Sequence, residues 1–173
     1  IRDYNSREYF ALVKPLYEDI WSQVKEFCRA CIHNCASYNS ALCDLSVQDC
    51  LFRIYRDARR IKDGDQIYKP NFGLVIGEWG KKSDSISLYV HIEPWNCFVA
   101  VWSYMPHATQ LLHFRNFILR HGTRYLNVIQ EKSFIRHFGQ VQGKSLHKMP
   151  RWFDADTSYA SVIRQKQFLV YRF

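Results

Sequence analysis

Hydrophobic residues near the start of the chain recur at the spacing of an amphipathic helix. Most of them have another member three or four residues further along, and they are Tyr9, Phe10, Leu12, Val13, Leu16, Tyr17, Ile20, Trp21, Val24 and Phe27. This period predicts one long helix that ends near residues 37–40. Asn5 and Glu8 are placed to cap its start. Pro15 lacks a backbone donor, so we expect a kink or a restart there.

The middle of the chain has short hydrophobic stretches that are typical of β-strands. They predict strands over residues 51–56, 72–79, 85–93 and 96–104. The second and third of these flank the turn-forming residues 80–84, so we expect them to form a hairpin. The strand over 96–104 is apolar almost throughout, which favours a central position in the sheet.

The rest of the chain predicts mainly helices. One is expected over 107–121, where Gly122 ends it, and a closing strand is expected over 168–173. Weaker patterns predict helices over 124–131, 133–137 and 157–165 and a strand over 140–148. Strands and helices do not alternate regularly. We therefore predict an α+β fold: a single domain over residues 1–173, with a mostly antiparallel sheet packed against the long N-terminal helix and further helices.

Composition indicates a globular protein with a preference for anionic partners. Hydrophobic residues make up 47% of the 173 residues, which excludes a disordered tail, and the formal net charge is +8. A basic surface attracts phosphorylated molecules and nucleic acids, but it can also serve solubility alone. No apolar run approaches the roughly 18 residues of a membrane span, so we expect no membrane partner.

Six cysteines need an interpretation, and three of them share a helix face. Cys28, Cys31 and Cys35 follow the spacing i, i+3, i+7. A metal or iron–sulfur site completed by His33 or Cys43 is one interpretation, but no second C-x-x-C pair follows. A disulfide is another, and small buried hydrophobes are the third. We favour buried free thiols with no metal, which implies a reducing, cytoplasmic compartment.

The densest charge lies between Arg53 and Lys62, where five Arg or Lys side chains and one Asp fall within ten residues. Such cations repel one another unless an anion or an acidic partner lies among them. One interpretation is a phosphate or carboxylate site in which arginines donate, Asp57 orients one of them, and neighbouring side chains close over the ligand. The other is an ion-pair network without a ligand. The residues predicted for the anion site are Arg53, Arg56, Asp57, Arg59, Lys62, Tyr68 and Lys69.

His91 and Glu93 alternate along a predicted strand and therefore share one face. They are candidates for a base with its orienting carboxylate, for two metal ligands, or for hydrogen-bonded groups without catalytic use. If the protein is an enzyme, we predict that His91 and Glu93 transfer protons. Phosphate-loop, dinucleotide and nucleophile-elbow motifs are absent from the sequence, and we expect no cofactor.

Several stretches resemble one family and follow each other in its order. Arg53, Arg56, Asp57 and Arg59 match an R-x-x-R-D-x-R-F run, and residues 5–10 resemble N-N-R-E-W-F. Residues 89–94 resemble Y-x-H-I-E-P, and Met105-Pro106 looks similar as well. Together these stretches resemble the bacterial domain-of-unknown-function family 2461 over nearly the whole chain. That family has no established activity, so the resemblance implies no substrate.

These observations leave three functional hypotheses open. The first is a protein with an anion-binding cleft on the Arg53–Arg59 segment, for a phosphorylated or carboxylated small molecule. The second is a nucleic-acid-binding module, for which the net charge of +8 is suitable. The third is a non-catalytic interaction domain in which the arginine segment is a structural ion-pair network.

Overall fold

A computed structural model describes residues 1–57, 59, 62, 66–83, 85–103 and 106–173. The helices of the described chain are α1 Arg7–Ala36, α2 Val47–Cys50, α3 Ala108–Ile129, α4 Lys132–Phe138 and α5 Ala160–Ile163. Its strands are β1 Phe72–Ile76, β2 Ser87–Ile92, β3 Phe98–Ser103 and β4 Phe168–Arg172. Two short 3-10 helices cover Ser40–Leu42 and Gly80–Lys82. The fold is α+β, as predicted.

The four strands form one antiparallel sheet in the order β1-β2-β3-β4. β3 is therefore a central strand, as its apolar sequence predicts, and Val101 pairs with Val170 in its register with β4. The strand predicted to end at Tyr104 is described only to Ser103, since residues 104 and 105 lie outside the described chain.

Two predicted strands, over residues 51–56 and 140–148, are wrong. Both segments make only isolated bridges in the described chain. The reason is that each segment changes its partner within a few residues, so no continuous ladder forms. The bridges are Leu51 to Leu74, Tyr55 to Tyr68, Gln142 to Leu169, and Ser145 to Gln165.

Helix α1 differs from its prediction at the cap and at the proline. Ser6, and not Asn5, is the N-cap, and its hydroxyl accepts a hydrogen bond from the amide of Tyr9 at 3.1 Å. The helix runs through Pro15 to Ala36 without ending. Burial of one face outweighs the missing backbone hydrogen bond. The buried residues of that face are Phe10, Val24, Cys28 and Ile32.

The described chain divides into two compact units. The first comprises Ile1–Ser83 and Tyr89–Phe98, and the second comprises Asp84–Leu88 and Val99–Phe173. One core cluster of the first unit consists of Phe10, Ile54 and Tyr68, and partly buried Ile1, Val13, Tyr17 and Ile67 pack against it. The single domain over residues 1–173 stays a prediction.

The second unit has its own core around Ile118, Val162 and Ile163. The predicted break at Gly122 corresponds to a kink in α3, where His121 has non-helical backbone angles. Gly122 is buried, and a side chain there would overlap the ring of Tyr159.

The remaining C-terminal elements follow their predictions with shifted ends. The helix predicted over 124–131 is the last part of α3, the one over 133–137 is α4, and the one over 157–165 shortens to α5. No helix in the described part of the chain has the length and the apolar character that crossing a bilayer requires.

Candidate anion-binding site

Backbone hydrogen bonds tie the segment 51–56 to two neighbouring stretches of the first unit. The amide of Phe52 donates to the carbonyl of Gly73 at 2.9 Å, and the amide of Arg56 donates to the carbonyl of Ile67 at 3.0 Å. Both ends of the segment are therefore fixed by the main chain, although it is not a strand. This leaves its charged side chains available for interactions other than holding the fold.

Burial along the segment separates apolar from basic side chains. Leu51 and Ile54 are buried, whereas Arg53 and Arg56 are exposed. Within the described residues, neither arginine has a carboxylate within ion-pair distance. As far as the described chain extends, the predicted ion-pair network does not include these two guanidinium groups.

Arg59 differs from Arg53 and Arg56 because it forms an ion pair with Asp57. Its Nε and Nη2 donate to the two carboxylate oxygens of Asp57 at 3.0 and 2.9 Å, a bidentate geometry. Asp57 thus orients one arginine of the segment, and that arginine is Arg59. The side chain of Arg59 is 88% exposed. We therefore consider Arg59 separately from Arg53 and Arg56.

The ammonium group of Lys69 lies close to Arg53 and Arg56. Its Nζ donates to the carbonyl of Arg53 at 3.1 Å and lies 5.1 Å from the centre of the Phe52 ring. Burial, and then the charges of Arg56, Arg53 and Lys81, lower the pKa of Lys69 below its usual value. This direction is the one expected for a lysine that is partly buried and also lies near other positive charges.

Two further lysines, which the sequence analysis did not select, join Arg53 at a groove of about 710 Å³. We call it the cationic groove. Its lining residues are Trp21, Lys25, Val47, Gln48, Leu51, Phe52, Arg53 and Lys81. Lys25 lies on α1 one turn after Trp21, and Lys81 lies on the 3-10 helix Gly80–Lys82. Only the tertiary structure brings these distant positions together.

Lys81 is held in place by main-chain carbonyls. Its Nζ donates to the carbonyl of Gln48 at 2.6 Å and to that of Leu51 at 2.8 Å. A lysine ammonium has three N–H donors, so one remains for a ligand. The carboxylate of Asp49 accepts hydrogen bonds from Ser46 at the start of α2, and these bonds, followed by the charges of Lys81 and Lys82, lower its pKa. Asp49 nevertheless lies beyond ion-pair distance from Lys81.

Among the described residues, Arg53 is the only one of the seven predicted site residues that lines the cationic groove, and Lys69 lines a different pocket. The ring of Tyr68 is in the core, 3% exposed and stacked on Phe10 with centroids 4.4 Å apart. The structure therefore gives Tyr68 a packing role and not the predicted place at the mouth of a site. Lys62 is exposed, and it is not among the residues that line the cationic groove.

His91 and Glu93 form a hydrogen-bonded chain on β2 and just beyond its end. His91 Nε2 lies 3.0 Å from Glu93 Oε2, and Tyr89 Oη lies 2.9 Å from His91 Nδ1. Arg2 and Asn96 donate to the Glu93 carboxylate at 2.8 and 2.9 Å. The hydrogen bonds from His91 and Asn96, and the charge of Arg2, lower the pKa of Glu93.

These hydrogen bonds indicate which ring nitrogen of neutral His91 carries the proton. An anionic Glu93 accepts the proton on Nε2, and the Tyr89 hydroxyl can donate to Nδ1, so the neutral ring fits with its proton on Nε2. Nδ1 also lies 3.3 Å from the amide nitrogen of Asn71. Proton transfer by His91 would therefore pass through Tyr89. Burial, and then the charge of Glu93, raise the pKa of Tyr89. Catalysis by His91 and Glu93 stays a prediction.

The described residues contain no cluster of three or more His, Cys, Asp or Glu side chains suited to a metal ion. The six cysteines are free: Cys28 and Cys50 are buried, Cys31 and Cys35 are half-buried, and Cys43 and Cys97 are exposed. Cys28 thus lies on the buried face of α1, as the thiol interpretation predicts.

A family model described as "Conserved hypothetical protein (DUF2461)" matches residues 1–173, the full length of the sequence. The chain belongs to the DUF2461 family. No curated protein and no solved structure matches it. The DUF2461 description names no activity, so a functional argument for this DUF2461 protein has to come from the chemistry of its own residues.

Proposed function

We propose that this protein binds a small phosphorylated or carboxylated anion in the cationic groove. One observation carries the proposal: Lys25, Arg53 and Lys81 line the same groove, and within the described chain none of them has a carboxylate within ion-pair distance. Unpaired cations that are held together gain most from an added anion. Arg56 and Lys69 add positive charge beside the groove.

The groups of the groove suit phosphate and carboxylate recognition. Arg53 provides a planar fork of N–H donors that can bind two oxygens of one anion. Lys25 and Lys81 are half-buried, so their charges are screened less than those of surface lysines. Burial and then repulsion by neighbouring cations lower the pKa of Lys69, and an anion bound here would offset the repulsion.

A purely structural role explains only part of this arrangement. Lys69 and Lys81 donate to the carbonyls of Arg53 and Leu51, so both lysines also hold the segment 51–53 in place. The side chain of Arg53 does not hold the fold in this way, since within the described chain it makes no hydrogen bond to another residue. Arg53 is therefore the residue that best separates binding from folding.

The test is calorimetric titration with inorganic phosphate, pyrophosphate and citrate. Arg53→Gln and Lys25→Gln should each weaken binding by about 10- to 100-fold, the effect of losing one charge-assisted hydrogen bond. Arg59→Gln is the matched control, because it removes the same charge from a side chain already paired with Asp57. We expect it to change affinity by less than about threefold.

Two results would count against the proposal. If Arg59→Gln weakened binding as much as Arg53→Gln, the anion would be responding to net charge and not to the groove. If Arg53→Gln lowered the melting temperature and left the affinity unchanged, Arg53 would be structural.

A further inference from the structure

Aromatic rings line the cationic groove together with its cations. Trp21 and Phe52 are both half-buried and both line the groove. The Trp21 ring is held by Tyr17 and Phe72, with ring centroids 5.8 and 5.9 Å away. A ring fixed in this way loses little freedom when a ligand stacks on it.

Each ring lies within four residues of a cation in the sequence. Trp21 and Lys25 lie one turn apart on α1 and so share a face of the helix, and Phe52 precedes Arg53. Each of these two stretches therefore supplies one aromatic and one cationic side chain to the same groove. An inorganic anion would use only the cations and would leave the aromatic surface exposed to water.

We propose that the ligand of the cationic groove is a nucleotide, in which a phosphate meets the cations and the base stacks on the aromatic wall. This inference rests on the proposed anion site and adds the class of ligand. Positive charge combined with stacking rings is the combination by which proteins hold single nucleotides and single strands. The volume of about 710 Å³ lies within the range of small-molecule sites.

The phosphate would bind at the end of the groove formed by Arg53 and Lys81. Arg53 can provide a bidentate contact, and Lys81 keeps one N–H after its two carbonyl contacts. Gln48 is exposed at the groove and carries an amide that can hydrogen-bond with a base edge. The same base and phosphate occur in a free nucleotide and at a position within a single strand, and the experiment distinguishes these sources.

The experiment compares adenosine and uridine monophosphates with ribose 5-phosphate, which carries the phosphate but no base. Base stacking on an aromatic side chain is worth about 5- to 150-fold in affinity. We therefore expect both nucleotides to bind at least about fivefold more tightly than ribose 5-phosphate. A short single-stranded oligonucleotide forms the third arm, and tighter binding of it than of either monophosphate would identify a strand as the source.

Trp21→Leu tests the aromatic wall, and it should remove the advantage of the nucleotides while ribose 5-phosphate binds as before. Trp21→Phe keeps a ring and should keep a smaller advantage, which covers the case that Trp21→Leu does not fold. Trp152→Leu is the control, because Trp152 is 94% exposed and does not line the groove.

The results separate the two proposals. Equal affinity for ribose 5-phosphate and the nucleotides would overturn the nucleotide inference and leave the anion site standing. If neither ribose 5-phosphate nor the nucleotides bound, the nucleotide inference would be overturned, and the anion site would be overturned with it if phosphate, pyrophosphate and citrate also failed to bind. A nucleotide advantage that persists in a folded Trp21→Leu variant would overturn the assignment of the base to this wall.

Discussion

At the scale of single residues, Arg53 and Arg59 show how the same side chain takes on different roles within one segment. Arg59 is satisfied by a bidentate pair with Asp57, and its exposure makes the stabilisation by that pair small. Arg53 lies at a groove with two lysines and without a carboxylate partner in the described chain. Local sequence predicts that Asp57 orients one arginine, but only the structure shows that this arginine is Arg59 and that Arg53 shares a groove with residues 25 and 81.

Glu93 gives a prediction about the pH dependence of stability. Its pKa is lower in the folded protein than the ordinary 4.5, so its ionised form stabilises the fold above that pH. This contribution is lost as the pH falls through the lowered pKa. We expect the free-energy advantage of the wild type over Glu93→Gln in urea unfolding to be constant above about pH 5 and to shrink towards about pH 3.

The control for Glu93 is Glu18→Gln, which removes only an exposed ion pair with Lys14 at 3.7 Å. We expect it to change the free energy of unfolding by less than about 0.5 kcal/mol. A wild-type advantage over Glu93→Gln that stayed the same from neutral pH to about pH 3 would contradict the role given to this hydrogen-bonded carboxylate.

At the scale of elements, the 3-10 helix Gly80–Lys82 is what brings Lys81 to the groove. Gly80 has a φ of +56°, and a Cβ there would overlap the backbone carbonyl of Asp49 in α2. Glycine thus permits both the left-handed backbone and the close approach of the two short helices. This approach places the Lys81 ammonium within reach of the carbonyls of Gln48 and Leu51.

Gly80→Ala should therefore affect both stability and binding. We expect the free energy of unfolding to fall by about 2 kcal/mol or more, because the backbone strain and the overlap add together. Anion affinity should fall at least about tenfold when Lys81 is displaced. Gly139→Ala is the matched control: Gly139 also has a positive φ, of +68°, but a Cβ there meets nothing within 4 Å.

Gly139→Ala should lower the stability and leave the affinity unchanged. Melting curves and titration of phosphate on both variants measure the two effects separately. Unchanged affinity in a folded Gly80→Ala variant would show that the position of Lys81 does not matter for the anion.

At the scale of the whole molecule, the net charge of +8 attracts any polyanion, so salt dependence separates the groove from the general surface. For a single strand, the slope of log affinity against log salt is about −0.7 for each phosphate that the protein neutralises. Three groove cations predict a slope of log affinity against log salt of about −2. Removing Arg53 should bring it to about −1.4.

Titrations of a short oligonucleotide at four or more salt concentrations provide this slope. A much steeper slope that Arg53→Gln leaves unchanged would indicate binding to the whole basic surface. That result would favour the hypothesis of a general nucleic-acid-binding module over a groove that holds a single nucleotide.

The sequence by itself determined those features that depend on local periodicity. Helical spacing predicted α1 and α3, the apolar run predicted β3 in a central position, and the irregular order of elements predicted the α+β class. It also located the basic segment and His91 with Glu93, because charge and strand alternation are visible in neighbouring residues. The restart that it allowed at Pro15 does not occur, since burial of a whole helix face decides that outcome.

Only the tertiary structure decided which cations share a groove. Lys25, Arg53 and Lys81 come from a helix, an extended segment and a 3-10 helix, and no sequence spacing relates them. The same holds for Tyr68, which looks like a ligand-binding residue in the sequence and packs against Phe10 in the core. Burial and long-range contacts are properties of the folded chain. They place Arg53 of the basic segment in one groove with two lysines and two aromatic rings.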